Sequence, residues 1–476
     1  MDRAISRVFL VGAILMVALM VNLAWIQVFH ARSLRDASQN HRLIAQQLRV
    51  KRGLILGFDG STIAGDAKRS GFYYRTYPQG PVAPQVVGYD SVRYGQTGIE
   101  SSLNGELSGA KSSTQGLLDR LLGRHSPGAN VELTIVPAVQ KVAQSALGSQ
   151  LGAIVALDPT TGAIIAAASA PSYNPATIDV SFASLAKNPD APLLSRGTQG
   201  LYPPGSSFKV VTATAALNLG KVTPSTPFND SGVYDIYGGK VTNYHGEVYG
   251  AHDFTQALTD SINTTFAKVG TLVGQAALID QMQHYGFYQT PPLELPRGMV
   301  YPSGRYLGPR LLSPAASMNP LDVAWAAVGQ ESVLATPLQM ALVAAGVADA
   351  GQVMKPYLVQ RVTSSTGKVL QTAAPSLWTT ATTPATAQTL NVMMQQVVNA
   401  GTGTAAALQG IQVAGKTGTA QRGASNVAWF IAFAPANNPK VAVAVTIENT
   451  LFTGGDVAAP LAAQVIKAAL AQPALP

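Results

Sequence analysis

The feature that most constrains this chain is an unbroken apolar run near its start. From Val8 to Phe29, 22 residues, only Asn22 and Gln27 are strongly polar. A helix that is apolar on every face belongs inside a large core or a bilayer. One of this length extends roughly 33 Å, enough for a membrane's hydrocarbon layer. Arg3 and Arg7 precede the run, which favours a cytoplasmic N-terminus; Arg32 and Arg35 follow it and weaken that asymmetry. A cleaved signal peptide has a shorter apolar region ending in small residues. This run instead ends Trp25-Ile26-Gln27-Val28-Phe29. The expected order is a cytoplasmic tail at 1–7, an uncleaved single-pass anchor at 8–30, and the remainder on the outer side of the cytoplasmic membrane.

That remainder is built to fold. Hydrophobic residues make up 47% of the chain and charged residues 12%, which excludes wholesale disorder. The net charge of +8 comes from scattered Lys and Arg, with a loose cluster at Arg42, Arg49, Lys51 and Arg52. No basic run of the nucleic-acid-binding kind is present, so no nucleic-acid partner is expected. With no cysteine and six histidines lacking ligand spacing, neither a disulfide framework nor a metal site is expected.

Two regimes follow the anchor. Ala31 to Val50 reads as a polar helix, and Arg52-Gly53-Leu54-Ile55 before Asp59-Gly60 reads as strand, turn, strand. Ser108 to Gly128 is polar and reads as a hairpin or loop. Together 31–130 form a small, elongated, β-rich domain. From about 131 to 476 the pattern changes. Pro137 to Leu147 has helical spacing with proline at its start. Ala153 to Asp158 and Ala163 to Ala167 flank a turn and predict a hairpin of buried strands. Apolar helices are predicted over Lys209–Leu219, Phe254–Val273 and Pro337–Ala348. Strands follow at Val413–Lys416, Trp429–Ala434 and Val441–Glu448, then a helix over Ala458–Leu470. Strands at both ends with helices between predict an α/β domain whose sheet joins its two ends. Thr379 to Thr386 reads as a surface loop.

Three short segments can carry chemistry. Pro203-Pro204-Gly205-Ser206-Ser207-Phe208-Lys209 puts Ser206 and Lys209 three apart at a helix start, hence on one face. A serine hydroxyl is a poor nucleophile until a base takes its proton. A neighbouring lysine can be that base if burial and nearby cations lower its pKa. Free amides at the helix start can hold an oxyanion. Asp260-Ser261-Ile262-Asn263 offers a hydroxyl as proton relay and an amide to hold a carbonyl. Gly415-Lys416-Thr417-Gly418-Thr419-Ala420 reads as a strand ending in a glycine-flanked cation, able to pair with a peptide and bind its carboxylate. There Gly418 would let substrate approach closely. Each alone is as well explained by a helix cap or a strand-end lysine.

Gly410 to Thr417 also fits the phosphate-loop pattern letter for letter. That loop needs a buried strand before its first glycine and a helix after its lysine. Gly401 to Gln409 is no such strand, and Thr417-Gly418-Thr419 is a poor helix start. Nucleotide binding is not expected.

Taken together, and in this order, the three segments match the signature of serine β-lactamases and penicillin-binding proteins. The rest of the chain resembles the class B penicillin-binding proteins of actinobacterial type. Arg196 to Ser206, Thr336-Pro337-Leu338-Gln339-Met340-Ala341, Ala428-Trp429-Phe430, Arg52-Gly53-Leu54-Ile55 and Tyr94-Gly95-Gln96-Thr97-Gly98-Ile99-Glu100 all look like stretches of that family. Departures are Ser195, where relatives often have Asn, and Val427, where many have His.

The resemblance implies a serine β-lactamase-like transpeptidase domain, with helices flanking a sheet, on an N-terminal pedestal of dimerisation type. It implies a D,D-transpeptidase that cross-links peptidoglycan stem peptides ending in D-Ala-D-Ala, is acylated by β-lactams, and needs no cofactor. In that reading Ser206 is the nucleophile, Lys209 the base, Ser261 the proton relay, and Asn263 orients substrate and Lys209. Lys416, Thr417, Gly418 and Thr419 bind the substrate, and the amides of Ser206 and Thr419 form the oxyanion hole. A separate membrane glycan polymerase is the implied partner.

Two rivals stand beside it. A β-lactamase or D,D-carboxypeptidase would pass the acyl group to water, and a β-lactam sensor or wall-complex scaffold would not turn over. A lactamase needs a second base; between Ser261 and Lys416 only Glu294 and Glu331 are glutamates. Glu294 is flanked by prolines, and Glu331 is expected just ahead of a helix.

The anchor has a direct check. Protein extracted from membranes keeps Met1 or Asp2 as its first residue, read by N-terminal sequencing. A mature chain starting near residue 30 would make the run a signal peptide instead.

Overall fold

The computed structural model describes residues 2–25, 48–109 and 127–476, except the side chains of 2–4 and 422. Helix α1 (Asp2–Trp25) contains the apolar run as far as Trp25. Its Ile5–Trp25 stretch has mean hydropathy 2.4 and none of it is buried against the chain. Among the described residues it is the one helix long and apolar enough to cross a membrane. The end of the expected span (26–29), nearly all of the expected polar helix at 31–50, and most of the 108–128 stretch lie outside the described residues.

The N-terminal region comprises β1 (Ile55–Leu56), β2 (Thr62–Arg69), β3 (Phe72–Thr76), α2 (Gly98–Ser102) and β4 (Asn130–Leu133). The expected strand, turn and strand around Asp59-Gly60 is the antiparallel β1–β2 pair. The large domain begins with α3 (Pro137–Leu147), β5 (Gly152–Leu157), β6 (Ile164–Ala170) and α4 (Lys209–Asn218). It continues through β7 (Pro227–Asp230), β8 (Val233–Ile236), β9 (Gly239–Thr242), β10 (Gly250–Asp253), α5 (Phe254–Thr259), α6 (Asn263–Val273) and α7 (Pro337–Ala348). It ends with β11 (Val359–Thr363), β12 (Val369–Thr372), α8 (Pro384–Asn399), β13 (Ala414–Arg422), β14 (Ser425–Ala434), β15 (Val441–Thr450) and α9 (Ala459–Leu470).

The central sheet has the order β13-β14-β15-β5-β6, every pair antiparallel. It joins the two ends of the domain through β15 and β5, where Ala444 faces Val155. Its strands other than the edge strand β13 are mostly apolar runs because both faces are covered. Ile154, Ala156, Val443 and Val445 face one core with Val139, Ala143, Leu147, Val465 and Ile466 of α3 and α9. Val155, Leu157, Ala442 and Ala444 face the other, with Phe208, Val211 and Leu342 of the helical side. Helix α7 runs through that second core. Its residues from Pro337 to Val347 are all buried, and Thr336 caps it by accepting from the Gln339 amide at 3.1 Å.

A second sheet has the order β12-β11-β4-β1-β2-β3. The N-terminal strands are thus hydrogen-bonded, through β4, to strands more distant in sequence, β11 and β12. Beside this sheet sits a buried charge cluster. Glu100 on α2 receives the Arg52 guanidinium at 2.8 Å and also that of Arg75, which reaches Asp66 at 3.1 Å and the Gly53 carbonyl at 2.7 Å. The surrounding carboxylates keep Arg75 charged despite its burial.

Three expectations are corrected. The helix expected over Phe254–Val273 is broken into α5 and α6, because Ser261 takes a left-handed backbone with φ +64°. The strand expected to end at Lys416 runs on to Arg422. Thr379 to Thr386 is no surface loop: Thr379 and Thr380 end a strand, Ala381 and Thr382 are buried, and Thr383 caps α8. Small polar residues are shared by caps, strand ends and loops, so composition alone did not separate these cases.

Glu100→Gln removes the charge shared by two buried guanidinium groups. Unfolding by urea should show a loss of about 3–5 kcal/mol, the cost of leaving a buried ion uncompensated. A loss below about 1 kcal/mol, the range of an exposed pair, would show the cluster to be solvated.

Candidate active site

The site lies where the 3₁₀ turn Gly205–Phe208, the α5–α6 break and edge strand β13 meet. Gly205 has φ +53°, which favours glycine, and a Cβ there would come within 2.8 Å of the Thr419 carbonyl. A Cβ on Gly418 would come within 2.7 Å of the Pro204 carbonyl and 2.9 Å of the Ser207 amide. The turn carrying Ser206 and the strand carrying Lys416 therefore pack backbone on backbone. Gly418, read from the sequence as giving room to substrate, also gives room to the turn that carries Ser206.

The turn is held from behind by residues that sequence reasoning gave no role. Glu448 at the end of β15 accepts from Arg196 at 2.7 Å and from the Tyr202 hydroxyl at 2.8 Å. The Trp429 indole donates to the Pro203 carbonyl at 2.9 Å. The available signal for Glu448 was an acid closing an otherwise apolar strand.

Ser206 is partly exposed, whereas Lys209, on the first turn of α4, is wholly buried. The Lys209 Nζ donates to the Ser261 carbonyl at 2.6 Å and to Asn263 Oδ1 at 2.7 Å, and lies 3.3 Å from Ser261 Oγ. It also sits 5.4 Å from the centre of the Phe266 ring. Lys416 is equally buried. Its Nζ donates to Ser261 Oγ at 2.9 Å and to the Thr417 carbonyl at 3.0 Å. Two ammonium groups thus converge on one serine hydroxyl. Burial, and then the charge of Lys416, hold Lys209 well below the ordinary lysine value. Burial lowers Lys416 to about 7, with Asp260 opposing the shift.

Thr417 Oγ1 pairs with Thr402 Oγ1 at 2.6 Å, and Thr419 Oγ1 accepts from the Gly454 amide at 3.2 Å. Thr402 was also missed; its stretch, Gly401 to Gln409, was read only as lacking a buried strand. Ser206, Lys209, Ser261, Asn263, Lys416, Thr417, Gly418 and Thr419 are therefore gathered in one place. Among the described residues no hydrogen bond joins Ser206 to Lys209, and no cluster of His, Asp or Glu could hold a metal.

The remaining motifs fall elsewhere. Lys416 lies inside a strand with no helix after it, so the phosphate-loop pattern has no structural counterpart. Glu294 Oε2 accepts from the Leu358 amide at 2.8 Å, and its carbonyl accepts from Ser102 at 2.6 Å. Glu331 precedes a short strand, not a helix, with φ +61° and its own carboxylate on the Ser332 amide.

Residues 152–467 match the penicillin binding protein transpeptidase domain, and residues 52–131 the penicillin binding protein A dimerisation domain. The chain is 35% identical to the peptidoglycan D,D-transpeptidase PbpA of Mycolicibacterium smegmatis, with 99% of both chains covered. The penicillin G acyl-enzyme of penicillin-binding protein A from Mycobacterium tuberculosis superposes with a TM-score of 0.79 at 32% identity, covering 88% of this chain and 100% of that one. The D,D-transpeptidase domain of a peptidoglycan glycosyltransferase from Eggerthella lenta does so at 0.80 and 36%, covering 89% and 98%. Two matched domains in order, around a serine set between two buried lysines, lead to one conclusion: the chain belongs to the penicillin-binding protein transpeptidase family.

Proposed function

We propose that this protein is a peptidoglycan D,D-transpeptidase that cross-links stem peptides through a serine acyl-enzyme and is acylated by β-lactams. The observation that carries the reading is the Ser261 hydroxyl held between the buried amines of Lys209 and Lys416, beside the Ser206 turn.

The chemistry follows from counting donors. A neutral lysine amine has two N–H bonds and one lone pair. The Ser261 carbonyl and Asn263 Oδ1 accept both N–H bonds of Lys209, which leaves the lone pair for the Ser206 proton. Ser206 Oγ then attacks the carbonyl carbon of the penultimate D-Ala. The oxyanion is received by the amides of Ser206 and Thr419. Collapse breaks the peptide bond, and the proton passes from Lys209 through Ser261 to the departing D-Ala amine. An amine of a neighbouring stem peptide attacks the ester, forms the cross-link and returns the proton to Ser206. Lys416, Thr417 and Thr419 hold the terminal carboxylate against edge strand β13.

The Glu294 carboxylate is engaged by the Leu358 amide, which favours a long-lived acyl-enzyme over a lactamase. In outline the protein is a tail at 1–7, an anchor at 8–30, a pedestal at 31–130 and an outward-facing transpeptidase domain at 131–476. The roughly 100 residues between anchor and transpeptidase domain make one small domain, so the glycan strands come from a separate membrane polymerase.

Intact-protein mass spectrometry tests the nucleophile. One penicillin adduct maps to Ser206 and persists for minutes, and Ser206→Ala folds normally without it. An adduct on another serine, or rapid repeated hydrolysis of penicillin, would overturn the reading.

The two lysines set opposite limbs of a pH profile. Acylation rises with pH as Lys209 loses its proton and falls as Lys416, lowered to about 7, loses its own. Lys416→Met should slow acylation about ten- to a hundredfold, the worth of a charge-assisted hydrogen bond, and abolish the alkaline limb. Stopped-flow labelling across pH is the check; a retained alkaline limb would take Lys416 out of the site.

A further inference from the structure

Helix α6 carries Asn263 at its first position, yet it begins without a cap of its own. The residue before it is Ile262, whose side chain can accept nothing, and no side-chain bond closes the helix start from within. The Thr264 amide, one of the unpaired donors of a first helical turn, is satisfied from another part of the chain. Asn243 Oδ1 accepts it at 3.1 Å. Asn243 follows β9, in the insert formed by the β7–β10 ribbon and the β8–β9 hairpin. The preceding residue, Thr242, accepts from Asn263 Nδ2 at 3.0 Å. Two consecutive residues of the insert thus grip the α6 start and the side chain of Asn263.

Asn243 is itself fixed by Asp230, the last residue of β7 and 2% exposed. One Asp230 oxygen accepts from Asn243 Nδ2 at 2.8 Å and from the Tyr249 amide at 2.9 Å. The other accepts from the Gly232 amide at 3.0 Å and from the Thr264 hydroxyl. Four donors and, among the described residues, no paired cation surround a buried carboxylate, and these hydrogen bonds hold its pKa below the ordinary value against the effect of burial. Its negative charge lies against the first turn of α6, where the helix dipole favours it.

We propose that Asp230, with Asn243, is a positioning residue of the active site: it caps α6 from the insert and thereby fixes Asn263 Oδ1 against Lys209 Nζ. The inference rests on the roles proposed above for Asn263 and Lys209. Its physical content is that Asn263 has one oxygen and must aim it at Lys209. The Thr242 carbonyl fixes the orientation of that amide, and Asp230 fixes the segment bearing Thr242 and Asn243. Loosening the network leaves Ser206 and the carboxylate-binding strand in place and misplaces only the acceptor of the amine. Binding should survive while the chemical step slows.

The full-length protein in detergent, reacted with a fluorescent penicillin by stopped flow, separates the two. Thr264→Val keeps the shape and removes the hydroxyl donated to Asp230, whereas Thr264→Ser keeps the hydroxyl. Thr264→Val is expected to lower the limiting acylation rate about tenfold with the non-covalent binding constant unchanged, and to move the acid midpoint of the pH profile down as Lys209 loses an acceptor. Thr264→Ser should restore both. Asp230→Asn should do the same as Thr264→Val or more, since its amide faces donors; if it does not fold, the Thr264 pair decides. A control cavity in α7, Val343→Ala, should lower the melting temperature without moving the midpoint. A folded Thr264→Val that matches the parent in rate and midpoint would overturn the inference. So would a loss confined to the fraction of protein that labels. If the parent itself forms no adduct, it is the transpeptidase reading that fails.

Discussion

Everything in the catalytic region answers to the burial of two lysine amines against one serine hydroxyl. Removing an ammonium from water costs several kcal/mol, and two within reach of each other add repulsion. The fold answers by supplying acceptors: the Ser261 carbonyl and Asn263 for Lys209, Ser261 Oγ and the Thr417 carbonyl for Lys416. It also lets Lys209 give up its proton readily, and the neutral amine is the state a base requires. The left-handed backbone at Ser261 belongs to the same solution. It breaks what would be one helix, so that a carbonyl and a hydroxyl of a single residue both meet the Lys209 amine.

Bringing three distant segments to one point needs close approach without side chains between them. Gly205 and Gly418 provide it, each lying where a Cβ would collide with the other segment's backbone. Behind them Glu448, Tyr202, Arg196 and Trp429 tie the nucleophile turn to the central sheet. That sheet is covered on both faces, and the Ser206 turn meets its edge strand β13, the strand on which the proposed reading seats the peptide.

The N-terminal region is joined to the domain by more than a linker. Strand β4 pairs with β1 on one side and β11 on the other, so the sheet runs through the place where composition changes. The charge balance around Glu100 closes the same region from the inside. Ser102 on α2 reaches the Glu294 carbonyl, a direct contact from that region to the large domain.

Periodicity and order along the chain were enough to read α1, α3, the β5–β6 hairpin, α7 and α9. Each is a long apolar pattern whose local preference agrees with its packing. The three catalytic segments were legible for a related reason, since a nucleophile, a relay and a cation carry recognisable residue types at short spacing. Where several structures share one composition, the sequence was mute. Asp260-Ser261-Ile262-Asn263 could continue a helix or break it, and nothing local said that Gly418 makes room for the Ser206 turn. Asp230, Asn243 and Thr402 carry no short-range signal, because what each does depends on a partner outside its own local segment. The sequence by itself determined which groups could do acyl transfer and that a sheet would join the ends of the domain. Only the tertiary structure decided that two lysines are buried together, so that each gives up its proton more readily than it would in water.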